Sequence, residues 1–103
     1  MLEQIKTFLE DKKAENVELI DVKNSDYFTD YVIVATTISN RQTIALVEDI
    51  KNKAKELELN LLGSEISDDW VVLDFGDFLV HLLSEEYRQR YKIEDFLKEF
   101  AKK

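Results

Sequence analysis

Residues 70–83 read WVVLDFGDFLVHLL, and the reading of this stretch decides the fold. Two β-rich apolar runs, Asp69 to Phe75 and Phe78 to Leu83, flank Gly76-Asp77, a dipeptide suited to the positive φ of a two-residue hairpin turn. In that register Phe75 faces Phe78, Leu73 faces Val80 and Val71 faces Leu82, so one face of the hairpin is wholly apolar. The other face carries Trp70, Val72 and Asp74 opposite Leu83, His81 and Leu79. Asp74-Phe75-Gly76 is also a tripeptide of protein kinases, where its aspartate holds magnesium. A chain of 103 residues is one domain, too short for two kinase lobes. It also lacks the Gly-rich loop, strand lysine and catalytic loop that give the tripeptide that meaning. The glycine serves a turn.

Working outward, Tyr31 to Ala35 (YVIVA) is a continuous apolar run, the pattern of a central strand covered on both faces. Asn16 to Val22 predicts a further short strand, joined to it by the polar loop KNSDYFTD. Met1, Leu2, Ile5, Phe8 and Leu9 share one face at helical spacing, predicting an amphipathic helix to about Lys13. Ser39 with Gln42 three residues on forms a capping box, and Ile44, Val47, Ile50, Ala54 and Leu57 continue a buried stripe. Leu59 to Leu62 is apolar and short, which predicts a strand and, through strand-helix-strand order, some parallel pairing. From Ser84 a final helix is expected, with Tyr87, Tyr91, Phe96, Leu97 and Phe100 as its apolar contacts. The expectation is a single α/β domain over 1–103 with about five strands and flanking helices.

With 22 Asp plus Glu against 14 Lys plus Arg, the net charge is -8, which disfavours phosphate backbones and anionic membranes. Its distribution is more informative. Glu56, Glu58, Glu65, Asp68, Asp69, Asp74, Asp77, Glu85 and Glu86 fall between Glu56 and Tyr87 with no Lys or Arg among them. Interleaved with apolar strands, they should form one acidic side, for which a basic partner is the complement. The absence of cysteine removes disulfides, thiol catalysis and thiolate metal sites. The amino end has charges every few residues, so neither a signal peptide nor a membrane span is expected there, and a cytoplasmic protein is.

His81 lies diagonally across the hairpin from Asp74 and Trp70, a spacing compatible with a histidine-carboxylate general base. It equally suits a structural histidine packed on tryptophan, since no serine or second histidine stands near. Asp68, Asp69, Asp74 and Asp77 resemble the paired acids that hold magnesium in nucleotide-transferring enzymes, but Asp74 and Asp77 flank a turn and no phosphate loop accompanies them. No cofactor or metal is expected. Arg88 and Arg90 read as helix-surface or ion-pair residues. Trp70 is either core or, if no helix covers the Trp70, Asp74, His81 face, the aromatic anchor of an interface with a basic partner.

The chain resembles the ribosomal silencing factor family, also called RsfS or Iojap-related proteins. The resemblance rests on Thr29-Asp30-Tyr31 leading into Val32-Ile33-Val34-Ala35-Thr36, on Ser39 with Arg41-Gln42, and on Trp70 through Asp77 followed by Val80-His81. It continues through Arg88, Tyr91 and Glu94. The chain departs from the family at Gly63-Ser64, where a Glu-Gly pair is usual, and around Leu97, where a tryptophan is usual. The resemblance implies a mixed-sheet, nucleotidyltransferase-like topology without transferase activity, and usually a homodimer. It implies binding to the large ribosomal subunit through its protein fourteen, which blocks joining of the small subunit and represses translation. Asp68, Asp69, Trp70, Asp74 and His81 are then the expected docking residues, with Asp30 and Tyr31 at the rim. Other readings are a metal-dependent enzyme with a vestigial nucleotidyltransferase site at Asp74 and Asp77, and a dimeric adaptor for another basic protein.

Overall fold

A computed structural model describes residues 2–23, 25, 27 and 29–101. Five strands form one mixed sheet: β1 (Glu15–Asp21), β2 (Tyr31–Thr37), β3 (Gly63–Ile66), β4 (Trp70–Asp74) and β5 (Phe78–Ser84), in the order β1-β2-β5-β4-β3. Four helices flank it: α1 (Leu2–Asp11), α2 (Asn40–Glu56), α3 (Glu85–Tyr91) and α4 (Ile93–Ala101).

The β4-β5 hairpin has the expected register, with Val71 opposite Leu82, Leu73 opposite Val80 and Asp74 opposite Leu79. Gly76 takes φ 86°, and the turn closes through Asp77 N–H to the Phe75 carbonyl at 3.1 Å and Phe75 N–H to Phe78 at 3.0 Å. A positive φ at the first central residue is what such a two-residue hairpin turn requires, and glycine supplies it without strain. The Phe75 and Phe78 rings stack beside it, centroids 4.9 Å apart.

β2 is an interior strand, next to the central β5, and is buried on both sides, as its unbroken apolar run requires. Ile33 and Ala35 face α1 and α2, packing with Ile5, Leu9, Leu46, Val47, Ile50 and Ala54. Val32 and Val34 face the opposite way, joining Ile20, Leu79, Leu83 and Leu97 of α4. Ser39 caps α2, its hydroxyl accepting from Gln42 N–H at 3.1 Å. The Gln42 amide oxygen accepts from Ile38 N–H at 2.7 Å, one residue earlier than the expected box.

Three expectations are corrected, and the expected parallel pairing is met by another pair of strands. Leu59 to Leu62 is not a strand. Leu57 ends α2, Glu58 turns at φ 59°, Leu59 N–H bonds back to Ala54 at 2.8 Å, and Leu59 and Leu61 pack on the core as a link. The strand begins at Gly63, on the far edge, antiparallel to β4. Parallel pairing exists, but between β2 and β5, because the crossover contains α2 and β3-β4 together. In α2, Ile44 is 61 % exposed, and Thr43 and Leu46 are buried instead. The Thr43 hydroxyl fits that inward position by bonding Thr37 at 2.7 Å and the Ser39 carbonyl at 2.9 Å. Finally, the last helix is two helices broken at Lys92, which adopts a left-handed φ of 45°. The break turns α4 back across the sheet to seat Leu97, and leaves Tyr91 and Phe96 exposed.

Candidate functional site

α3 and α4 cover β1, β2 and β5 but stop short of the β3-β4 end of the sheet. There Trp70, Val72 and Asp74 remain half-buried and all of β3 is exposed. Trp70 is the centre of this end. Its indole Nε1–H donates to Nδ1 of His81 at 3.0 Å, and its ring lies 5.4 Å from that of Tyr91, which lies 5.4 Å from Tyr87. An indole can only donate, so Nδ1 of His81 must be the acceptor and the ring proton sits on Nε2. Nε2 is itself buried with no hydrogen-bond partner among the described residues.

His81 is 6 % exposed, and burial lowers its pKa from 6.5 to about 4, so it is neutral near pH 7. The expected diagonal approach to Trp70 is present. The histidine-carboxylate pair is not: Asp74 Oδ1 accepts from Gly76 N–H at 2.8 Å, within the turn, and Val72 stands opposite His81. The imidazole therefore holds the indole, and its burial keeps it from reaching a macromolecular partner directly.

The remaining site residues separate into groups. Asp68 is exposed in the β3-β4 loop, its Oδ1 accepting from Asn40 at 3.3 Å. Asp69 is half-buried, and its carbonyl accepts from Ser84 N–H at 3.0 Å, tying the loop to the end of β5. Both lie beside Trp70. Asp74 lies at the opposite end of β4. Asp30 and Tyr31 are farther still: both backbone N–H groups donate to the Asp77 carbonyl, at 3.2 and 3.3 Å, and Tyr31 packs with the α1-α2 side. Trp70 is level with Leu83 and Thr36, whereas Tyr31 is level with Phe78, which separates them by roughly 16 Å along the strands. Trp70 and Tyr31 therefore stand towards opposite ends of the sheet.

Arg88 is an ion-pair residue, as read from sequence, but an interior one at 7 % exposure. Its Nη1 donates to the Asn16 carbonyl at 2.6 Å and Thr36 Oγ1 at 2.9 Å, while Glu94 and Glu18 approach at 3.3 and 3.6 Å. This network locks α3 and α4 to β1 and β2. Arg90 pairs on the surface with Glu86 at 3.1 Å. Among the described residues no three His, Asp or Glu side chains converge as a metal-binding group, and no helix is long and apolar enough to cross a membrane. Sequence reasoning missed the β3 edge itself, although Glu65-Ile66 within a polar run was a signal available to it.

A family model described as "Ribosomal silencing factor during starvation" matches residues 1–103. The ribosomal silencing factor RsfS of Chromobacterium violaceum is 38% identical over 88 residues, covering 84% of this chain and 72% of that protein. The chloroplastic protein Iojap of Arabidopsis thaliana is 31% identical over 87 residues, covering 84% of this chain and 37% of that longer protein. A crystal structure of a Chromobacterium violaceum protein superposes with a TM-score of 0.85 at 33% identity, covering 94% of this chain and 83% of that one.

Proposed function

The chain belongs to the ribosomal silencing factor (RsfS/Iojap) family, a family of non-enzymatic ribosome-binding factors, and from that premise we propose that it represses translation by occupying the large ribosomal subunit. In this reading the protein docks on large-subunit protein fourteen, on the face that meets the small subunit, and blocks subunit joining by steric occlusion. The family match along the whole chain carries the reading. The charge supports it: no Lys or Arg lies between Glu56 and Tyr87, and ribosomal proteins are commonly basic, so steering favours such a partner.

Asp68, Asp69 and Trp70 form the docking centre, with Asp74 at the far end of the same open sheet face. His81 acts through Trp70, and Asp30 and Tyr31 are rim or supporting residues. The protein acts as a homodimer in solution and works in the cytoplasm. Co-sedimentation tests the reading. The protein should migrate with free large subunits and be absent from joined ribosomes, and adding it should reduce joining. Equal binding to small subunits overturns the proposal. Sedimentation at micromolar concentration separately tests the dimer, which should show about twice the chain mass of 12.1 kDa.

A further inference from the structure

β3 is an edge strand whose outer side no described residue covers. Ser67 N–H bonds the Trp70 carbonyl at 3.2 Å, and in an antiparallel ladder hydrogen-bonded pairs alternate. Glu65 and Gly63 therefore turn their backbone groups inward to Val72 and Asp74, while Ser64 and Ile66 turn theirs outward. Natural edges are commonly protected by lysine, proline or a covering element. This edge has no lysine, the chain has no proline, and all four residues of β3 are exposed.

The two sides of the edge differ chemically. On the α2 side, Ile66, 57 % exposed, meets the equally uncovered Ile44 in a groove floored by Val47 and rimmed by Glu48 and Asp68. On the opposite side, Glu65 and Asp74 flank a second groove over Val72 and Leu79. No ion pair holds Glu48, Glu65, Asp68 or Asp74 among the described residues.

We propose that the β3 edge is a strand-addition site for an extended segment of a partner protein in which aliphatic and basic side chains alternate. Strand addition takes affinity from main-chain hydrogen bonds and specificity from alternate side chains. Outward groups of Ser64 and Ile66 supply the bonds. A side chain opposite Ile66 enters the apolar groove, and its neighbours along the segment, opposite Glu65, face the carboxylates. A second copy of this chain is a poorer occupant, because its β3 carries the same acidic charge and directly opposed like charges destabilise a pair. The partner's basic character rests on the docking reading above, whereas the mode of binding rests on the edge alone.

The test titrates the isotope-labelled full chain with a short amidated peptide alternating valine and lysine. Its amides at Ser64 and Ile66 should shift and gain protection from hydrogen exchange, and a valine-glutamate peptide should not bind. Ser64→Pro removes an outward N–H at a position where an edge strand tolerates proline. It should weaken peptide binding at least tenfold with an unchanged melting temperature. Glu65→Lys, which leaves the backbone alone, should weaken it similarly. Shifts located elsewhere, or both folded variants binding like wild type, overturn the proposal, as does β3 protection that grows with protein concentration without peptide, the sign of self-pairing. Large subunits added to the same variants separate the two readings: wild-type binding that both variants retain sinks the edge alone. Peptide binding at β3 without large-subunit binding sinks the ribosomal reading and leaves the edge standing.

Discussion

Trp70 donates its indole N–H to Nδ1 of His81 across the β4-β5 hairpin at 3.0 Å, which orients the aromatic side chain at the open end of the sheet. The bond exists only while His81 is neutral at Nδ1. Protonation would place two donors head-on in a buried site.

The pH dependence of folding follows from this. The His81 pKa falls from 6.5 to about 4 on folding, so between those values the unfolded chain binds a proton that the folded chain refuses. Stability is therefore complete above pH 6.5 and is lost as pH falls towards 4, by on the order of 3 kcal/mol in all. Urea unfolding of wild type and His81→Gln at pH 7, 5.5 and 4.5 should show a shallower pH slope for the variant. Equal slopes would show that His81 is not the source of this pH dependence.

Arg88 should be among the costliest polar residues to remove. Arg88→Met leaves the Asn16 carbonyl, Thr36 hydroxyl and Glu94 carboxylate without the partner they now have, an expected loss of about 3–5 kcal/mol. Arg88→Lys should restore only part of it, because an ammonium cannot reproduce the planar fork. Denaturant midpoints for the two variants check both statements.

The two faces of α2 can be told apart by a pair of truncations. Leu46→Ala removes a buried side chain and should cost about 2–5 kcal/mol, whereas Ile44→Ala, at an exposed helical position, should lie within about 0.5 kcal/mol of wild type. Equal losses would put both residues in the core.

Reversing charge at Asp68 and Asp69 should slow association with large subunits and flatten its salt dependence. The Debye length shrinks from about 10 Å at 0.1 M to about 3 Å at 1 M salt. Asp68 is exposed and Asp69 half-buried, so the variant should remain folded. Trp70→Ala should cost a few kcal/mol of binding and, through its contacts with His81 and Tyr91, some stability as well. Association rates at several salt concentrations, measured beside melting curves, separate the two. A folded Asp68→Lys, Asp69→Lys protein with unchanged rate and salt dependence would remove these acids from the docking surface.

What the sequence determined by itself was local or periodic. Gly76 between two apolar runs set the hairpin register, the unbroken Tyr31 to Ala35 run required a strand covered on both faces, and Ser39 started α2. In each case the physical cause lies within a few residues along the chain. The tertiary structure decided what depends on distant partners. Leu59 to Leu62 had strand composition, but its link packs on a core built by other segments, and the edge passed to Gly63–Ile66. Whether Ile44 or Leu46 faced inward turned on how the whole face of α2 with Thr43, Val47, Ile50 and Ala54 seats on the sheet. His81 sat at a spacing that suited a base or a structural support. Only its burial, with Trp70 on one nitrogen and no carboxylate among the described residues on the other, decided between them. Asp30 and Tyr31 share a family motif, yet strand register places them at the far end of the sheet from Trp70, because a parallel pair aligns residues nearly fifty positions apart by hydrogen bonding rather than by sequence proximity.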